Sequence, residues 1–280
     1  MKKSITFILL LILLLLPINL TSCSNSLSGN KEIIIGTMSQ PGEPILNHIK
    51  QEFEEKTGYT LTIRIFTDFE TPNEALKANE IDVNLFQHLP FLEAYNQKKG
   101  TNLVKACNMY DCAYGGYTKK EINSLEDIPD GKTITIAADG SNMKRCLDIL
   151  VAEGLIEYDF NGLSVDKLNP DNINEYITSN PKNLNIRPIS TALIAASLDD
   201  EDTYLGIVNA TFALAAGLGT KAKLLCQEKD PLHVNTNILA CRSSDLEKDW
   251  LKALVEILTS SDTDKFISET FGATITPYHA

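Results

Sequence analysis

Short apolar runs alternate along this chain with stretches in which apolar residues recur every three or four positions, the patterns of buried strands and one-sided helices. Glu32 to Gly36 (EIIIG) reads as a buried strand. Pro44 to Lys56 reads as a helix with Ile45, Ile49 and Phe53 on one face and Gly58 as its stop. A strand over 60–66, a helix opened by Pro72, a short strand near Val83 and a helix opened by Pro90 follow. After Gly115-Gly116 a second series predicts a strand over 133–137, helices over 142–153 and 172–179, a strand over 185–188, a helix over 191–198 and a strand over 205–208. A helix from Asp249 to about Leu258 and another near Lys265 complete the series. This βαβα order implies an α/β fold with parallel sheets covered on both faces. No internal repeat, low-complexity tract or long linker interrupts it. Two α/β lobes joined without a floppy linker imply a cleft, and such sheets bind ligands at the carboxyl ends of their strands.

The first 22 residues follow a different pattern. Lys2 and Lys3 precede an apolar run from Ile5 to Leu16, Pro17 interrupts it, and Leu20-Thr21-Ser22-Cys23 closes it. Charge, apolar core and small residues in that order are those of a secretory signal, and the run is shorter than the roughly 20 residues of a membrane-spanning helix. A small residue directly before a cysteine marks a bacterial lipoprotein signal, in which Cys23 is lipidated and becomes the new N-terminus. The expected location is therefore a cell membrane, lipid-anchored on the extracytoplasmic side. SNSLSGNK after it has the composition of a flexible tether, so folding is expected to begin near Lys31.

Charge and cysteines narrow the classes. The chain has 25 basic and 37 acidic residues, and loss of Lys2 and Lys3 makes it more acidic still, which argues against nucleic acid as a partner. Five cysteines follow Cys23, an odd number, so at least one is a free thiol or pairs with another molecule. Cys107 and Cys112 are the nearest pair, and their spacing leaves a small disulfide loop open. No GxSxG, HExxH, P-loop or GxGxxG pattern occurs, and His48, His88, His233 and His279 are scattered. The pattern points away from an enzyme and requires no cofactor or metal.

Two stretches hold candidate chemistry. In DVNLFQHLPFLEAYN (82–96), Phe91 and Tyr95 stand four apart and read as a core-facing pair. Phe86 and His88 instead fall at a strand end and in the turn before Pro90, where α/β sheets present side chains to ligand. Phe69, in the strand-to-helix turn over 67–72, is placed to reach the same cleft. In Ser141-Asn142-Met143-Lys144-Arg145, Ser141 is a plausible helix N-cap, yet two cations then sit at the positive end of the helix dipole. A bound carboxylate, held by helix N–H groups and a bidentate arginine, would resolve that conflict. Two solvated side chains would resolve it equally well.

F-x-D-[YF]-x-x-P-N at 66–73, D-x-N-x-F-Q-H-x-P-F-L at 82–92, S-N-x-x-R at 141–145, N-P-K-N-L at 180–184, S-L-D-D at 197–200 and A-L-x-A-G-L at 213–218 together resemble the methionine-binding lipoproteins of the NlpA/MetQ family. The resemblance implies a type II periplasmic-binding-protein fold, with one lobe from 32–112 plus 232–280 and the other from 113–231. It implies capture of an amino acid, typically methionine, and delivery to an ABC permease and its ATPase. It also implies that Phe86 and His88 line the side-chain part of the pocket, that Asn142 and Arg145 hold the carboxylate, and that Asn209 adds polar contacts. The chain departs from the family in having Phe69 and Phe212 at tyrosine positions and Pro231-Leu232-His233-Val234-Asn235-Thr236-Asn237 in place of P-Y-x-N. Asn235 and Asn237 therefore compete for one role. Binding of a methionine derivative, a short peptide or another apolar amino acid, or a surface lipoprotein that uses the fold for adhesion, are the alternatives.

Overall fold

The computed structural model describes residues 31–280, so the signal, Cys23 and most of the tether lie outside the described residues. Thirteen strands and nine α-helices occur among the described residues. The first sheet is built from β1 (Glu32–Met38), β2 (Thr60–Phe66), β3 (Val83–His88), β4 (Leu103–Cys112), β12 (Asn237–Arg242) and β13 (Ile275–Pro277), in the order β13-β4-β12-β3-β1-β2. The second contains β5 (Tyr114–Thr118), β6 (Thr133–Ala137), β9 (Asn185–Ile189), β10 (Thr203–Asn209) and β11 (Lys223–Gln227), in the order β11-β5-β10-β6-β9. In the first, β1 lies between β2 and β3, and in the second, β6 lies between β9 and β10; an antiparallel strand, β12 or β5, comes next in each order, followed by β4 and β13 in the first sheet and by β11 in the second. A two-stranded ribbon pairs β7 (Glu157–Tyr158) with β8 (Ile177–Ser179).

The helices are α1 (Gly42–Thr57), α2 (Thr71–Lys77), α3 (Leu89–Lys99), α4 (Gly140–Ala152), α5 (Thr191–Ser197), α6 (Ala210–Ala216), α7 (Leu218–Lys221), α8 (Asp249–Leu258) and α9 (Ser261–Phe271). None is long and apolar enough to cross a membrane. As the pattern predicts, α1 buries Ile45, Ile49 and Phe53 and ends at Gly58, whose φ of 71° is left-handed. Two-residue alternation along β12 divides the core of the first half: Leu239 and Cys241 pack with Trp250, Leu251 and Leu254 of α8, while Ile238 and Ala240 pack with Phe66, Phe86 and Leu92.

The structure departs from sequence expectation in three places and decides a fourth point that spacing left open. The sheets are mixed rather than parallel, because β12 and β13 in the first and β5 in the second run against the other strands, which makes every pair they form antiparallel. Residues 172–179 form a single 3-10 turn (Ile173–Glu175) and then β8, not a helix. β-branched Ile177 and Thr178 favour extended backbone, and Asn180 precedes a proline, which disfavours helix. Helix α4 starts at Gly140, capped by Asp139 and not by Ser141: the Asp139 side chain accepts from Asn142 N at 3.0 Å. Finally, Cys107 and Cys112 are both free. They lie five residues apart on β4, some 16 Å along a strand at about 3.3 Å per residue, far beyond disulfide reach. Cys146, Cys226 and Cys241 are free as well, and burial pushes the thiols of Cys226 and Cys241 up to about 11 and that of Cys107 up to about 12.

Two local devices shape the end of β3 and the start of α4. At Phe86 the β3–β12 register slips, so that Ile238 faces Gln87 and Leu239 faces Leu85. This bulge brings Asn84 and Gln87, three residues apart, onto one side. There they join Asn73 of α2 in a buried amide network: Asn73 Nδ2 donates to Gln87 Oε1 at 2.7 Å, Asn84 Nδ2 to Asn73 Oδ1 at 2.9 Å, and Gln87 Nε2 to both Asn73 Oδ1 and Asn84 Oδ1 at 2.7 and 2.8 Å. The second device is Gly140. A Cβ there would lie 1.8 Å from the Val165 carbonyl oxygen, so only glycine lets the 165–168 segment close over the start of α4.

Replacing Asn84 by leucine keeps the volume but leaves Asn73 and Gln87 short of partners inside the core. The expected cost is about 1–3 kcal/mol of unfolding free energy by urea denaturation, and no loss would show that the network contributes nothing.

Candidate ligand-binding site

All seven residues singled out from the sequence line one small cavity. Phe69 follows β2, Phe86 and His88 end β3, Asn142 and Arg145 open α4, Asn209 ends β10, and Asn237 begins β12; Gln87 and Phe91 complete the wall. Its space is about 10 Å³, roughly that of a single water. Rings form one end: Phe69 lies 5.7 Å from Phe86, 6.3 Å from Phe91 and 4.9 Å from Phe212 between centroids. The two positions where phenylalanine replaces the tyrosine of the resembled motifs therefore meet each other and make that end apolar. Phe91, read from sequence as core-facing, is half-buried and faces the cavity.

The polar end is ordered by capping interactions. His88 is the N-cap of α3, and its Nδ1 accepts from Phe91 N at 3.2 Å. Nδ1 therefore carries no proton, and the neutral ring holds its proton on Nε2, which donates to Asn142 Oδ1 at 2.9 Å. Burial, and secondarily the charge of Arg145, pulls the His88 pKa down to about 3, against a smaller opposing effect of the Asn142 hydrogen bond. Asn142 is fixed from behind: its Nδ2 donates to Asp139 Oδ2 at 3.0 Å. Asn209 caps α6, its Oδ1 accepting from Thr211 N at 3.0 Å and from the Cys112 thiol at 3.4 Å. Asn237 Nδ2 donates to the Phe86 carbonyl at 3.2 Å. Of the two competing asparagines, Asn237 lines the cavity. Asn235 lies on the other side of Arg145, in the segment that His233 anchors to Asp111 at 2.6 Å.

Arg145 is 5% exposed and is already paired. Its Nε and Nη2 donate to Glu228 Oε1 and Oε2 at 2.8 and 2.6 Å, a second Nη2 hydrogen reaches the Cys112 carbonyl at 2.9 Å, and Nη1 reaches Asn142 Oδ1 at 3.3 Å. Burial opposes the charge, but the hydrogen bonds and charge of Glu228 more than offset it and raise the guanidinium pKa. Lys144 pairs with Asp148 at 2.7 Å. The conflict of two cations at a helix start is thus resolved by Asp139, Asp148 and Glu228, all within the chain. Glu228 escaped the sequence reading because it lies 83 residues from Arg145 in a segment with no local pattern.

Two similar α/β halves, with residues from both around one cavity, define a substrate-binding fold of the type II periplasmic class. The family model described as NlpA lipoprotein matches residues 33–279, and the chain belongs to that family. It is 31% identical over 252 residues to the methionine-binding lipoprotein MetQ of Bacillus subtilis (strain 168), covering 89% of each chain. The crystal structure of a Bacillus subtilis lipoprotein shares 30% identity at a TM-score of 0.81, covering 90% of this chain and 100% of that one. A nutrient-binding protein from Burkholderia cenocepacia, bound to methionine, shares 28% identity at a TM-score of 0.79, covering 88% and 99%.

An imidazole that is neutral when folded but protonates near pH 6.5 when unfolded makes stability fall as pH drops from about 6.5 towards 3, because the unfolded chain binds the extra proton. By pH 4.5 this amounts to on the order of 2–3 kcal/mol. His88→Asn keeps a capping side chain and should remove that part of the slope in denaturation curves taken at pH 7 and pH 4.5. Equal slopes would contradict the neutral, buried assignment.

Proposed function

We propose that this chain is the solute-binding component of an ABC importer, taking an amino acid with an apolar side chain, methionine foremost, between its two halves acting as lobes. The observation that supports this best is the lining of the cavity: a ring-walled end from Phe69, Phe86 and Phe91, and opposite it Asn142, Arg145, Asn209 and Asn237. Such polarity suits a molecule with an apolar tail and a zwitterionic head. Relatives across nearly the whole chain are named as methionine binders, which supports the same class.

In this reading the rings enclose the side chain, and Asn142 and Arg145 meet the carboxylate. Asn209 and Asn237 present amide groups to the ammonium and carboxylate. About 10 Å³ cannot hold an amino acid, so binding begins with the halves parting and the His88–Asn142 contact opening. Closure over the ligand then gives the form that the permease and its ATPase recognise. Lipid on Cys23 would keep the protein on the extracytoplasmic face of the membrane, next to that permease.

Calorimetry with L-methionine, and mass spectrometry of whatever small molecule co-purifies, test the ligand class directly. Phe86→Ala should weaken binding by about 1–3 kcal/mol while the protein stays folded; unchanged affinity would return Phe86 to a packing role. For the anchor, Cys23→Ala expressed in a bacterium should lose incorporation of labelled fatty acid, and full incorporation would sink the lipoprotein assignment.

A further inference from the structure

Glu228 does not line the inner cavity. It stands behind Arg145, in the wall of an outer cleft of about 410 Å³ that also includes Pro90, Lys144 and Asn235. Its carboxylate takes the Nε/Nη2 edge of the guanidinium with both oxygens, accepts Tyr114 N at 3.0 Å, and is itself held by Asn235 Nδ2 at 3.4 Å. The pair is almost dry, with side-chain exposures of 5% and 9%. An arginine has five N–H groups. Glu228 takes two, the Cys112 carbonyl one and Asn142 Oδ1 one, so a single Nη1 hydrogen beside Asn142 remains for a molecule in the cavity.

Two consequences separate this arrangement from an arginine waiting for a carboxylate. The fork edge that would grip a carboxylate with two parallel hydrogen bonds is occupied by the protein's own acid. The positive charge is also cancelled at contact distance, in surroundings too dry for solvent to screen the pair. A ligand carboxylate then meets a hydrogen-bond donor in a near-neutral site rather than an uncompensated cation.

We propose that Glu228 sets the ligand class of this site: by neutralising Arg145 and occupying its fork, it weakens selection for a free carboxylate and admits amino-acid derivatives whose carboxyl group is amidated or in peptide linkage. Glu228 is a specificity-determining residue that acts through Arg145 without touching ligand. The inference rests on the amino-acid reading of the cavity and goes further by stating how the site treats the carboxyl group.

The test uses the complete folded protein, wild type and Glu228→Gln, titrated calorimetrically at pH 7 with L-methionine and L-methioninamide. Glutamine keeps the size and an accepting oxygen but removes the charge. Wild type should prefer the acid over the amide by no more than about tenfold, and Glu228→Gln should raise that preference by a further factor of about ten or more, because an uncompensated arginine attracts the carboxylate and repels the cationic amide. In Arg145→Gln/Glu228→Gln the increase should vanish, since the effect runs through Arg145. If Glu228→Gln weakens both ligands equally, or lowers the preference, Glu228 is structural and the inference falls while the amino-acid reading stands. A wild-type preference clearly above about tenfold overturns it without any variant, as a neutralised arginine with a single free N–H would not discriminate so strongly. Wild type that binds neither compound overturns the amino-acid reading, and this inference with it.

Discussion

The hydrogen bond from His88 Nε2 to Asn142 Oδ1 is where the two halves share a single polar group, and the order of the site depends on the tautomer that makes it. That tautomer is decided locally, by the backbone N–H of Phe91 at the start of α3. A helix cap in one half therefore determines which ring nitrogen reaches across to the other half. Asn142 has no freedom to respond by flipping, because its amide nitrogen is held by Asp139, the cap of α4. Two helix N-termini are joined through one imidazole and one amide, with no net charge in the link. Such a contact is satisfied only with the halves together, as they are in this structure.

Arg145 stands on different terms. Its charge is compensated inside the protein before any ligand arrives, and its partner comes from the segment that leads from the second sheet back to the first. The same guanidinium also holds the Cys112 carbonyl at the other crossing between the sheets. A buried pair of this kind contributes little net stability, yet removing one member is costly. Its value here is geometric, since both connecting segments are tied to one helix at the cavity wall.

Much of this was legible in the sequence wherever chemistry and local position coincide. Phe86 and His88 stood out because they end an apolar strand immediately before a helix opened by Pro90, and Asn142 and Arg145 because they open a helix, but local pattern left a structural role equally open and only the family resemblance grouped them into one pocket. What was not legible depends on distance along the chain. Nothing local marks Glu228 as the partner of Arg145, or Phe212 as the neighbour of Phe69. The bulge at Phe86 has no glycine or proline to announce it, so the amide network of Asn73, Asn84 and Gln87 could not be anticipated from two-residue alternation. Strands β5 and β12, which run against their neighbours, are short and pair with segments far away in the chain, so local βαβα order alone made the sheets look parallel.

The five free cysteines among the described residues bear on the history of each molecule. A thiol whose pKa stands near 11 or 12 is ionised at neutral pH in only about one molecule in ten thousand or fewer, and disulfide exchange proceeds through the ionised form. In the folded chain Cys107, Cys226 and Cys241 are thus poorly placed to start that exchange. In the unfolded chain Cys107, Cys112, Cys146, Cys226 and Cys241 are all ordinary exposed thiols. In oxidising surroundings any global opening that outlasts the exchange reaction would be fixed as a crosslinked species unable to refold, so the lifetime of the protein would be set by its opening rate and not by its equilibrium stability.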